Sequence, residues 1–115
     1  MTTKLVKDDF VKEVVDELKK VQIEFPIPIE TYVDLQKLLA QRLNYLITKN
    51  FSLLISVLYR LDISEKKLKT LLSNSVNTPA GEIIARMIIE RQLQKIESRR
   101  SFRSKADNIA EDEKW

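Results

Sequence analysis

The stretch TPAGEIIARMIIERQLQKI, residues 78–96, decides the fold. Thr78-Pro79 reads as an N-cap followed by proline at the first helical position, where the missing amide costs little because that amide has no intrahelical acceptor. On a helical wheel Ile83, Ile84, Met87, Ile88 and Ile89 then cover almost the whole circumference, whereas after Glu90 only Leu93 and Ile96 continue a narrow stripe. A helix that is apolar all round is surrounded by protein. The first half of this helix is therefore expected at the centre of the core, wrapped on every side, and the second half is expected to emerge toward solvent or a partner.

Moving back along the chain, Ser64 reads as an N-cap with Glu65 in the first turn of a short helix carrying Leu68, Leu71 and Leu72, and residues 73–77 form a polar turn. Before it, Leu35, Leu38, Leu39, Leu43, Leu46 and Ile47 make one face of a helix that begins near Glu30 or Thr31. The segment from Phe51 to Leu61 has a wider apolar arc, rotated from the one before it. An unbroken helix from 31 to 61 would be about 46 Å long, too long for a domain of this size, so a break is placed at Thr48-Lys49-Asn50.

The first periodic segment runs from about Asp8 to Glu24, with Phe10, Val11, Val14, Val15, Leu18 and Val21 on the apolar side and Asp8 and Asp9 at the favourable end of the helix dipole. Phe25-Pro-Ile-Pro-Ile29 stops it, and its isoleucines are expected to pin an extended connector across the end of the bundle. From Ser98 the periodicity ends. The reading is an all-α, compact bundle of four or five helices, a single domain over residues 1–100, with a flexible charged tail over 101–115.

Composition supports this class. Gly81 is the only glycine and there are three prolines, too few for the tight turns of a sheet protein. No cysteine is present, which removes disulfides, thiolate chemistry and zinc knuckles, and no histidine, which removes the commonest proton-transfer group and metal ligand near neutral pH. Carboxylate neighbours such as Asp8-Asp9, Asp16-Glu17 and Glu111-Asp112-Glu113 point apart on a helix, and neither metal-loop spacing, a glycine-rich phosphate loop nor a nucleophile elbow occurs. The chain reads as a non-enzyme, with no cofactor or metal. The longest strongly apolar run without charge, Phe51 to Tyr59, is less than half of a membrane span, and residues 1–9 run into acidic positions instead of a signal sequence, so no membrane partner and a cytoplasmic location are expected.

Four features bear on function. Between Arg86 and Lys105, seven cations stand against only Glu90 and Glu97, and Arg91, Lys95 and Arg99 line one helix face. Arg91, Lys95, Arg99, Arg100, Phe102, Arg103 and Lys105 are the candidate phosphate or partner contacts, against the plainer reading that cations late in a helix offset its dipole. The acidic end, Asp107 to Glu113, could fold back on that run, and Trp115 could anchor a partner or fray. Pro26 and Pro28 have PxP spacing, not the PxxP that aromatic grooves bind. Helices 64–74 and 79–98 invite a helix-turn-helix reading, but the positions that should reach base edges are Ile83, Ile84, Met87 and Ile88.

The segments LYRLDISEKKL (58–68) and IIERQLQKI (88–96) resemble stretches of small uncharacterised bacterial all-helical proteins. That resemblance covers the second half of the chain, implies a bacterial cytosolic origin and assigns no functional residues. For function, the wide apolar arcs of 51–61 and 83–96 exceed what short neighbouring helices cover, which points to a non-catalytic interaction or regulatory module that forms a homo-oligomer or meets a protein partner. Nucleic acid, bound without sequence preference through the basic run, is the lesser alternative.

Overall fold

The computed structural model describes residues 9–75 and 77–112, with side chains as far as Phe102. Among them are five helices: α1 (Val11–Lys19), α2 (Tyr32–Lys49), α3 (Phe51–Arg60), α4 (Glu65–Asn74) and α5 (Ala80–Asp112). They form an all-helical compact bundle without strands among the described residues. At 33 residues α5 is about 50 Å long, so only the longest dimension of the molecule, 55 Å, accommodates it.

The isoleucine-rich span is the core's centre. Ile83, Ile84, Ala85, Met87, Ile88 and Ile89 are all buried, and Ile84, Ala85, Ile88 and Ile89 join Leu35, Leu39, Leu43 and Leu46 of α2 and Val14 and Leu18 of α1 in one core. Glu82, Arg86 and Glu90, spaced by four, break the surface along one flank, with Arg86 paired to Glu82 at 3.8 Å. The expectation of a helix wrapped on every side is thereby corrected: its apolar residues are enclosed, but it is open to solvent along that charged line. Burial of Ile83, Ile84, Met87 and Ile88 removes the side chains that a helix-turn-helix would need in a groove.

Helix ends follow their caps. Thr31 Oγ1 accepts from the Asp34 amide and Ser64 Oγ from the Lys67 amide. The break anticipated at 48–50 falls at Asn50, which ends α2 and, through Oδ1 accepting from the Leu53 amide, starts α3. At the head of α5 the helix begins one residue later than read, at Ala80, and Pro79 supplies its carbonyl to the amides of Glu82 and Ile83.

Two helices end without glycine. α1 stops at Lys19, well short of Glu24, because Gln22 turns into the left-handed region (φ 71°) and the Ile23 amide bonds back to the Leu18 carbonyl. Asp62 (φ 63°) does the same for α3, with the Ile63 amide on the Leu58 carbonyl. This is the Schellman arrangement, in which the apolar residue after the turn packs back toward the helix; Ile23 is buried and Ile63 half-buried. In the connector that follows α1, Ile29 packs on the core as expected and Phe25 joins it, whereas Ile27 lies exposed, which corrects the expectation for that residue.

α5 does not end where its apolar stripe does. Its backbone is helical through residues 101–112, the stretch read as a tail, and to that extent the element boundary is corrected. A helix backbone needs no buried stripe to continue when its residues favour helix, as Arg, Lys, Ala and Glu do. The acidic run's side chains and Trp115 lie outside the described residues.

Candidate interaction surfaces

Two surfaces present themselves, the basic face of α5 and the outer face of α3. The basic face turns out to rivet the bundle together. Arg91 reaches the turn after α3, where its Nη2 donates to Asp62 Oδ2 at 2.7 Å and its Nε to the Asp62 carbonyl at 3.2 Å. Lys95 Nζ donates to the Leu61 carbonyl at 3.3 Å. Two cations thus sit on carbonyls of the turn that follows α3, beside the negative end of its dipole. The Arg91 guanidinium hydrogen-bonded to Asp62 holds that carboxyl below its ordinary value, against a small opposing effect of burial, and Lys95 adds to the lowering.

One turn further on, the same helix meets α1. Arg99 lies 3.7 Å from Glu17, and Arg100 pairs with Glu13 while its guanidinium stacks 4.3 Å from the centre of the Phe10 ring. From the other side, Arg60 at the end of α3 donates to the Lys20 carbonyl at 3.0 Å, so the end of α1 is held by α3. Four of the residues singled out from sequence, Arg91, Lys95, Arg99 and Arg100, are therefore brought together along α5 and engaged with carboxylates or carbonyls of α1 and α3. Phe102 projects into solvent, 73% exposed. The side chains of Arg103 and Lys105 lie outside the described residues.

Arg91, Gln94, Lys95, Ser98 and Arg99 border a shallow concavity of about 330 Å³. The neighbouring cleft of about 360 Å³ mixes Asp62 and Glu90 with Lys67 and Arg91. Within it Arg91 is already paired with Asp62.

The outer face of α3 is different in kind. Leu54, Val57, Leu58 and Leu61 bury one side of the helix in the core. On the other side Phe51, Ile55 and Tyr59, each four residues from the next, stand 57%, 49% and 86% exposed. Ser52 and Ser56 lie beside them, so the face carries no charge until Arg60. Between this row and α4 runs an apolar groove of about 250 Å³ lined by Ile55, Leu58, Tyr59, Ile63, Glu65 and Leu68. α4 buries no residue fully, and its Leu68, Leu71 and Leu72 are half-buried. The sequence signalled this surface only as an apolar arc too wide for one core contact; which three residues were surplus required knowing that the other four complete the buried side.

Among the described residues no cluster of three acidic, histidine or cysteine side chains is placed to hold a metal, and no helix is long and apolar enough to cross a membrane. Comparisons with protein-family models, with curated proteins and with solved structures find no match.

Proposed function

We propose that this chain is a non-catalytic interaction module whose docking surface is the outer face of α3 and the groove beside α4. The observation that carries this reading is the alignment of Phe51, Ile55 and Tyr59 in solvent on a helix whose opposite side already completes the core. Two aromatic rings and an isoleucine in one row expose far more apolar area than scattered surface residues do, and contiguous apolar patches of a few hundred Å² usually mark contact sites. Among the described residues the cations Arg91, Lys95, Arg99 and Arg100 of α5, by contrast, are engaged within the molecule, which leaves them less to offer a phosphate backbone.

The test uses dilute protein. Helix propensities of Ile, Phe, Tyr and Ser are close, so exchange for serine isolates side-chain burial. Tyr59→Ser is expected to change unfolding free energy by less than about 0.5 kcal/mol, as at an open surface site, and Ile55→Ser to cost about 1 kcal/mol for its covered half. Binding of an apolar dye such as anilinonaphthalene sulfonate should fall in both. A loss of about 3 kcal/mol at Tyr59, the cost of emptying a core site, would show the face to be covered by the chain itself and would end the proposal.

A further inference from the structure

We infer that the occupant of this face is a second copy of the same chain, with α3 packed antiparallel against α3 of its partner across a two-fold axis at Ile55. The inference rests on the docking reading above. The row Phe51, Ile55, Tyr59 is symmetric about its middle residue, aromatic, aliphatic, aromatic, at equal steps of four. In an isologous contact residue i meets residue j and j meets i, so a row of this kind lies on its own copy with an apolar partner for each side chain. Turned antiparallel, Ile55 faces its own counterpart and Phe51 faces Tyr59 in both halves. Rows spaced by four are also the ridges that interlock in the commonest helix-packing class, at about −50°.

The electrostatics and the area agree. The row itself carries no charge between Lys49 and Arg60, with Glu65 in the groove beside it; antiparallel helix dipoles attract, and Ser52 and Ser56 on its flank are small enough for close approach. At their observed exposures the three side chains offer roughly 400 Å² per chain. With flanking residues, two copies would bury on the order of 1,000 Å² in total, below the 1,200–2,000 Å² of stable interfaces and in the range of transient ones. The dimer is therefore weak and reversible. Because each copy carries a net charge of +3, salt should strengthen it.

The chain contains no cysteine, so an introduced thiol is the only one present and reports geometry cleanly. Under mild oxidation, Ile55→Cys should form a covalent dimer, since the two thiols meet on the axis. Phe51→Cys alone and Tyr59→Cys alone should not, yet an equimolar mixture of the two should cross-link to each other. Sedimentation of the unmodified protein should show mass rising between about 10 μM and 1 mM, the range of a weak interface. Ile55→Glu should remain monomeric, and mixing it with Ile55→Lys should restore association. A wild-type chain that stays monomeric at 1 mM, with no Ile55→Cys cross-link and with Tyr59→Ser as stable as wild type, overturns self-pairing and assigns the face to a different partner. Loss of stability in dilute Tyr59→Ser overturns the face and the pairing together. Cross-linking of Phe51→Cys with itself, but not with Tyr59→Cys, overturns the antiparallel register.

Discussion

Replacing Gly81 by alanine should destabilise the protein, although helix propensity taken alone predicts the reverse. Gly81 lies in the first turn of α5, and its amide donates to Asn44 Oδ1 of α2 at 3.1 Å, so a side chain of one helix caps another. A β-carbon built at this position would stand 2.2 Å from Asn44 Oδ1, 2.5 Å from its Cγ and 2.7 Å from the Ala40 carbonyl oxygen. The Asn44 side chain can swing away, at the cost of the cap, about 1 kcal/mol. The Ala40 oxygen belongs to the α2 backbone and must retreat by about 0.7 Å to reach ordinary contact, a strain of the overpacking kind, about 1–3 kcal/mol. Against these stands the gain of alanine over glycine in a helix, up to about 1 kcal/mol. The net loss is about 2 kcal/mol, or about 10 °C in Tm for a chain of this size. Urea unfolding followed by circular dichroism measures it. Asn44→Ala should lose about 1 kcal/mol, and adding Gly81→Ala to it should cost about a further 1 kcal/mol, because the clash with Ala40 persists. Gly81→Ala as stable as wild type or more so would refute the reasoning, leaving propensity as the governing effect.

Three further outcomes follow from the same structure. Gln22→Gly should raise stability by about 0.5–1 kcal/mol in denaturant titration, since Gln22 is exposed and a non-glycine residue pays for its left-handed backbone. Gln92 is buried with its Nε2 unpartnered, so Gln92→Met, which keeps length and removes the amide, should stabilise by about 1 kcal/mol in thermal unfolding. Asp62 is lowered in the folded protein by Arg91, so its contribution is present above the ordinary carboxylate value of 3.8 and disappears as pH falls through the lower folded value. Comparing urea midpoints from pH 5 downward, Asp62→Asn should lose less stability across that acid window than wild type; an unchanged slope would refute the linkage.

How far these features could be read from sequence depends on the range of the interaction behind them. The buried half of α5, the break at Asn50 and the Ser64 cap were legible because each is written within a few neighbouring residues. The end of α1 was missed because its stop signal is a left-handed glutamine, and without glycine or proline the periodic pattern runs on to Val21. The spacing Leu18 to Ile23, repeated as Leu58 to Ile63, was the available clue. The roles of Arg91 and Lys95 were illegible for another reason. Periodicity relates residues three or four apart, while their acceptors, Asp62 and Leu61, lie 29 and 34 positions away. A basic stripe looks the same in one dimension whether it faces a phosphate or the end of a neighbouring helix.

The attachment of α1, α2 and α3 to successive levels of α5 has a consequence for biogenesis. The element that organises the others follows all of them in the chain. At ordinary elongation rates its 33 residues take about 2–7 s to make, and during that interval the helices upstream have no scaffold to assemble on. A nascent chain stalled before Thr78 should therefore remain protease-sensitive however long it waits on the ribosome, and folding should begin only as residues 80–112 emerge.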